Sequence, residues 1–335
     1  NYYGGSKPGV YTRNTLTETK NATYGLDVQK DISLSEKSLL TVGANAKKEK
    51  YEPQIIKGDS AKSSDKKERN QFAVFAQLDQ KFTDKDNLII GGRGTWTSGS
   101  TNGEEYDDFS ASAQYVHKFN EDKSVYISVG QSFIMPSFSQ MYPSGVAAGA
   151  PNPNLKPQKG TNYELGYKEI AGNHLWKVAL FKMNVKDNIT ASWKNEVWNY
   201  KNTDFKNVGL EASLAVDASD KFSYDIGLTV HNPKNKIENE PTKKGWQRKF
   251  GKYQVKSGVE YKLDKFRAGF SGSYVWDRYS SPSSKESYKI KPYFLTTFTA
   301  AYAPDKNSEF SLIVDNVLNR NDNLSNTMSD HGAYY

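Results

Sequence analysis

Few residues in this chain are able to do chemistry. Its 335 residues include four histidines and no cysteine, which excludes a thiol nucleophile, a Cys-ligated zinc or iron–sulfur site and a disulfide scaffold. His117 and His174 fall beside short polar turns, and His331 is the fourth. His231 closes an alternating segment and by parity shares a face with polar residues. It is the one imidazole placed to ligate a metal or to assist a serine or carboxylate, and a solvated strand-end histidine is its plainer reading. No nucleophile–base constellation forms around it, so an enzyme is not expected. The segment Ser192–Tyr200, SWKNEVWNY, gathers Trp193, Trp198 and Tyr200. Such rings stack on aryl groups or sugars, with loop-to-loop packing as the alternative. The stretch Lys47–Arg69 concentrates lysine. It could steer anionic chelates or lipopolysaccharide phosphates, or simply be solvated. The net charge of +7 is spread over many segments without a basic stripe carrying stacking aromatics, so nucleic acid is not expected.

The elements that hold these residues follow from the hydropathy pattern. Hydrophobic residues are 36% of the chain and mean hydropathy is −0.77, yet aromatics reach 13%. No run approaches eighteen apolar residues, which excludes a helical span, and the chain is too aromatic for a disordered polymer. Period-two alternation recurs from end to end. Phe72, Val74, Ala76 and Leu78 alternate with Ala73, Phe75 and Gln77; Val208, Leu210, Ala212, Leu214 and Val216 alternate with Gly209, Glu211 and Ser213. This predicts about fourteen strands, at 12–32, 37–48, 70–82, 88–98, 108–119, 124–133, 161–169, 174–186, 205–217, 222–232, 250–262, 266–277, 290–303 and 309–317. Many are of the length a tilted strand needs to cross a bilayer. Connections alternate between short and long, the long ones including Lys47–Arg69, Phe133–Gly160 and Val185–Asp204. Aromatics such as Phe82, Phe119 and Phe310 flank the short turns, while Phe72, Trp96 and Phe109 stand near the long segments. Short turns, long loops and two aromatic girdles are the pattern of an outer-membrane barrel. The expected fold is all-β, a transmembrane antiparallel β-barrel, with Arg93, Glu211, Asp225 and Arg267 facing its lumen.

Residues 125–168 read VYISVGQSFIMPSFSQMYPSGVAAGAPNPNLKPQKGTNYELGYK. With Asn207-Val208-Gly209-Leu210-Glu211 and Asp315-Asn316-Val317-Leu318-Asn319-Arg320, this resembles the TonB-dependent outer-membrane receptor family. The resemblance implies a 22-stranded barrel occluded by an N-terminal plug that carries the TonB box. Residues 1–335 are then expected to be a single β-barrel portion, with plug, first strands and last strand missing from this chain. It further implies energy-dependent uptake of a scarce nutrient across the Gram-negative outer membrane. The implied partners are the lipid bilayer, lipopolysaccharide, a small metal chelate and, through the plug, the TonB complex. No resident cofactor is expected.

In some members of the family the region matching 151–157 lies near the ligand mouth; Phe138, Gln140, Met141 and Tyr142, in the motif that precedes it, are candidate contacts beside Trp193, Trp198, Tyr200 and His231. Pro151, Pro153 and Pro157 fix φ and remove donors, so this stretch is expected to fold back over the rim, either as a ligand contact or as a rigid loop base. The haem form of the motif carries Arg and Ala where Ile134 and Met135 stand, and a histidine that 133–157 lacks. A ferric siderophore therefore leads as cargo, then cobalamin, then haem, although Tyr142 could ligate iron. A passive porin or structural barrel and a surface adhesin are the alternatives.

Overall fold

The computed structural model describes residues 2–7, 10–57, 60–63, 66–99, 105–143, 149–194, 197–237, 245–280 and 288–322. Among them fourteen strands have eight or more residues: β1 (Val10–Ser35), β2 (Ser38–Lys57), β3 (Lys67–Lys81), β4 (Asp86–Ser98), β5 (Asp108–Lys118), β6 (Lys123–Ile134), β7 (Gln158–Ala171), β8 (His174–Lys194), β9 (Val197–Asp217), β10 (Phe222–His231), β11 (Tyr253–Leu263), β12 (Phe266–Trp276), β13 (Tyr293–Asp305) and β14 (Ser308–Asp315). Each pairs antiparallel with its sequence neighbours. The result is one continuous meander that does not close on itself.

Register turns the alternation into two chemically distinct faces, because a strand's side chains alternate across the sheet. On one face the cross-strand rows are apolar throughout: Val28–Ala44–Val74–Gly94, Ile90–Ala113–Val129–Tyr163, Leu165–Leu180–Leu210–Val230 and Tyr261–Ala268–Ala300–Leu312. Many of these side chains stand uncovered, Leu165 and Leu180 among them. An apolar face of this extent is matched by lipid and penalised by water. The opposite face carries Gln77 beside Gly91, Arg93 beside Ser110, Ser128 beside Glu164 and Glu211 beside Thr229. It also carries Asp225 and Arg267 at the same parity, as the lumen assignment requires.

The short turns have local causes. Ser35, Thr83 and Ser219 hydroxyls accept hydrogen bonds from backbone N–H groups two or three residues on, as do the side-chain oxygens of Asn120 and Asp305. That chemistry closes turns without a long loop. The two-residue turns after Ala171 and Leu263 need positive φ, supplied by Gly172 at 60° and Asp264 at 50°. Phe82, Phe119, Phe266 and Phe310 crowd this end, and Phe266 stacks on Tyr302 at 4.5 Å.

At the other end the strands outrun the membrane. β8 and β9 each have 21 residues and β2 has 20, against the ten or so that a tilted span needs. The segments read as the loops Val185–Asp204 and Lys47–Arg69 are therefore largely hairpin. Trp193 pairs with Trp198, and Tyr51 pairs with Lys67. A register shift between Val185 and Asn188 breaks the alternation there, which is why the extension reads as loop in sequence.

Face assignment sets an expected outcome. Leu210→Arg, on the apolar face at mid-strand, should lower stability in liposomes by about 2–4 kcal/mol. Thr229→Arg, opposite Glu211 on the polar face, should change it by less than about 1 kcal/mol. Denaturant titration of the two variants checks both.

Candidate ligand-binding mouth

The hydrophobic core of this sheet is not inside its strands. Of eight buried hydrophobic residues among those described, five are Tyr51, Tyr106, Phe138, Met141 and Leu155. They belong to the strap between β6 and β7, described over 135–143 and 149–157, and to the segments it lies on. The strap begins with one helical turn, α1 (Phe138–Met141), started by a reciprocal cap. The Gln140 amide N–H donates to the Ser137 hydroxyl at 3.3 Å, and the Ser137 N–H donates to the Gln140 side-chain oxygen at 2.9 Å. That cap satisfies two backbone donors and turns Phe138 and Met141 toward the wall.

There Phe138 meets Arg69, whose side chain is 4% exposed. Its Nη1 donates to the Pro136 carbonyl at 2.9 Å, its Nε and Nη2 donate to Glu49 at 2.9 and 2.5 Å, and its guanidinium lies over the Phe138 ring at 5.0 Å. Phe138 stacks on Tyr51 at 5.9 Å, and the Tyr51 hydroxyl donates to the Tyr142 carbonyl at 3.1 Å. Glu49, Tyr51 and Arg69 share the parity of Asn45, Ala73 and Phe75, so this end of the strap lies on the lumen face. Glu49 stands three residues beyond Ala46, which is level with the girdle pair Phe72 and Trp96, and is therefore outside the membrane span. Burial pushes its carboxyl up, but hydrogen bonds from Lys47 and Arg69 and their charges outweigh this and hold it below its ordinary 4.5.

The far end of the strap is fastened separately. Tyr106, itself bonded to Thr97, donates its hydroxyl to the Leu155 carbonyl at 3.0 Å. The Gly149 N–H donates to the Trp198 carbonyl at 2.9 Å, and the Asn152 side chain to the Tyr200 carbonyl at 3.0 Å. Asn202 exchanges bonds of 2.8 and 2.9 Å with the Lys156 backbone. The strap therefore ties β2 and β3 to the outer extension of β9.

The sequence-predicted residues separate into three places. Phe138, Gln140, Met141 and Tyr142 share α1 and its end. Phe138 and Met141 are buried and Gln140 is occupied by the cap, whereas Tyr142 is half-buried with the Lys67 ammonium 4.7 Å from its ring. Trp198 and Tyr200 lie on the β9 extension, Trp198 exposed; the Trp193 backbone lies opposite, and its side chain is outside the described residues. His231 stands apart on the lumen wall. Its Nδ1 accepts from the Asn207 amide at 3.0 Å and its ring also bonds the Gly251 backbone. It borders a concave hollow of about 840 Å³ with Glu164, Glu211, Lys177 and Lys256. No group of three or more metal-ligating side chains occurs among the described residues. Arg69, Glu49, Tyr51 and Tyr106 were not singled out from sequence; Arg69 is hidden at the end of a lysine-rich stretch.

The sheet with its strap matches the family model for the TonB dependent receptor-like β-barrel over residues 1–317. The chain belongs to that family. The family is one of outer-membrane receptors, not enzymes. Similar solved structures include the copper transporter OprC, at 16% identity and a TM-score of 0.76, covering 92% of this chain and 52% of that one. The FrpB iron transporter from Neisseria meningitidis matches at 16% identity and a TM-score of 0.68, over 90% and 51%. The siderophore receptor PirA from Pseudomonas aeruginosa matches at 17% and 0.66, over 91% and 52%. At these identities the likeness is one of fold, and this receptor barrel spans about half the length of each.

Arg69 gives the strap its test. Arg69→Met removes the guanidinium that joins Glu49 to the Pro136 carbonyl and leaves Lys47 as the carboxylate's remaining cation, which should cost about 2 kcal/mol locally and speed amide exchange at 137–142 by about thirtyfold. Arg69→Met with Glu49→Gln should recover part of that protection. Because the Glu49 carboxyl is held below 4.5, its contribution is present above that pH and lost as pH falls through the lower folded value. Hydrogen exchange followed from pH 7 to pH 3 should show the strap loosening in the wild type and a smaller pH effect in Glu49→Gln.

Proposed function

We propose that this chain forms the wall and extracellular mouth of an outer-membrane receptor for energy-dependent uptake of a scarce nutrient. The observation that carries the reading is the strap: a receptor barrel whose packed core lies at its outer opening has a built binding surface there, which an open diffusion pore does not need. In this reading 1–335 is the barrel portion of a larger receptor, and a plug domain couples it to the TonB complex. Tyr142, Trp193, Trp198 and Tyr200 present aromatic surface to the ligand, while Phe138, Gln140 and Met141 position the strap beneath them. His231 lines the path below.

A ferric siderophore is the leading cargo, followed by cobalamin and haem. An iron transporter and a siderophore receptor among the solved structures of similar fold support the first of these, as do aromatic residues suited to aryl groups. Histidine is sparse at the mouth, with His231 hydrogen-bonded to its neighbours, which places haem last. The function is binding and gating, without covalent chemistry.

The test is equilibrium binding of a ferric catecholate siderophore, cobalamin and haem to the full-length receptor. The siderophore should bind tightest, and Trp193→Ala with Trp198→Ala should weaken it at least about tenfold, from the loss of two stacking surfaces. Absence of binding together with large, steady single-channel conductance would overturn the reading in favour of a porin. Unchanged affinity in the double variant would remove the tryptophans from the site.

A further inference from the structure

One cross-strand row of the lumen face is rich in lysine and holds no carboxylate. Followed from β5 to β11 it reads Lys118, Ser124, Lys168, Lys177, Ser213, Gly227 and Lys256, each directly opposite the next. Lys168 and Lys177 are immediate neighbours in it, and like charges directly opposite each other repel. Carboxylates stand only in the rows on either side, Glu211 two residues along β9 and Asp225 two residues along β10. The ion pairs on these strands are made elsewhere, by Glu169 with Lys123 and by Glu260 with Lys262. Among the described residues, none of the four lysines of the row forms an ion pair.

The row is also inclined. Cross-strand hydrogen bonds run perpendicular to the strands, and barrel strands tilt by about 35–45° from the axis, so a row of fixed register climbs the wall. Lys118 ends β5 beside a short turn, Lys168 and Lys177 stand three residues from theirs, and Lys256 stands three residues from the outer end of β11. The row therefore descends from the mouth to the short turns. With strands about 4.8 Å apart, successive lysines fall within reach of one bound anion or of two neighbouring positions of it. The five members from Lys168 to Lys256 line the hollow of about 840 Å³ that His231 borders, a volume that suits a small molecule. Ser213 and Gly227 keep its floor low: a Cβ on Gly227 would meet only the Ala212 carbonyl oxygen, at 4.0 Å.

We propose that this row is a track for a polyanionic metal chelate on its way through the receptor, with the hollow at Lys168, Lys177 and Lys256 as a second holding site below the mouth. The proposal rests on the uptake reading and adds to it the charge class of the cargo and the stretch of wall along which the path opens. A chelate released from the aromatic mouth meets Lys256 first, is held between Lys177 and Lys168, and leaves past Lys118. The carboxylates of Glu211 and Asp225 confine it to the row by repulsion from both sides. Neutral cargo gains nothing from such a track.

The experiment uses the full-length receptor in the outer membrane of whole cells, with a radioiron-labelled, trianionic ferric tris-catecholate as the probe. Lys118→Gln with Lys168→Gln, Lys177→Gln and Lys256→Gln should leave the Kd for binding at the mouth unchanged. The same variant should lower the maximal uptake rate at least about tenfold, the lower end of what a cleft lined by one sign of charge contributes. Arginine at the same four positions should keep the wild-type rate, and Ser213→Trp, which raises the floor of the hollow without changing charge, should lower it. A control with the same charge change at the short turns, Lys37→Gln with Lys85→Gln, Lys221→Gln and Lys306→Gln, should transport as the wild type does. Heat-modifiable gel mobility of each variant confirms that it is folded. An unchanged uptake rate in the variant of the row, or an equal loss in the control, would overturn the proposal. Loss of uptake together with new sensitivity to a glycopeptide antibiotic too large for the closed receptor would overturn it as well, assigning the lysines to holding the plug. Absence of binding by the wild type would overturn the uptake reading and the track with it.

Discussion

In the hydrocarbon of a bilayer no water is available to hydrogen-bond a peptide group, so every N–H and C=O must be paired within the protein. That constraint organises this chain. It makes each spanning segment a strand, joins neighbours into an antiparallel ladder and leaves the side chains to alternate between lipid and lumen. The apolar rows from Val28 to Leu312 and the polar rows opposite them follow from that pairing. A sheet with lipid on one face and an aqueous lumen on the other has little interior to bury, which explains why so few hydrophobic residues are buried.

The strap is where the chain departs from that economy. Once past the membrane the backbone is free to leave the ladder, and between β6 and β7 it does so, folding back on the lumen face. An irregular segment there must satisfy its own polar groups. It does so with the Ser137–Gln140 cap, the Arg69 bonds to Pro136 and Glu49, and the Asn152 and Asn202 contacts to β9 and the strap backbone. Arg69 is central because one planar cation meets a carboxylate, a carbonyl and an aromatic face at once, which a lysine cannot do. Two anchors in different parts of the sheet hold the strap as a fixed part of the mouth, on which exposed aromatic residues can be presented.

The strands were readable because a period of two is a direct record of two environments. The alternation at 70–82, 205–217 and 222–232 places strands that the structure has as β3, β9 and β10, and the short turns were marked by residues such as Asn120 and Gly172. The outer extensions were not readable, since neither face of β8 or β9 beyond Val185 meets lipid and the register shift there interrupts the pattern. Phe138 and Met141 stood out as aromatic or apolar residues in a loop, but the packing of Phe138 depends on Tyr51 and Arg69, some 70 to 90 residues earlier in the chain. Arg69 itself resembles any basic residue of a solvated segment until its partners are known. Local composition shows that the mouth is aromatic; only tertiary pairing shows which rings are packed and which are presented.

The account stands or falls on the two faces, and the absence of cysteine from the sequence makes them directly measurable. Single cysteines at Leu210, Glu211, Ala212 and Ser213, introduced into the full-length receptor and labelled with bimane, would be read in vesicles of lipid brominated along the acyl chain. Quenching should be strong at 210 and 212 and weak at 211 and 213, in step with the register of β9. Equal quenching at all four positions, or at none, would contradict a membrane-spanning sheet with one face to lipid and one to the lumen.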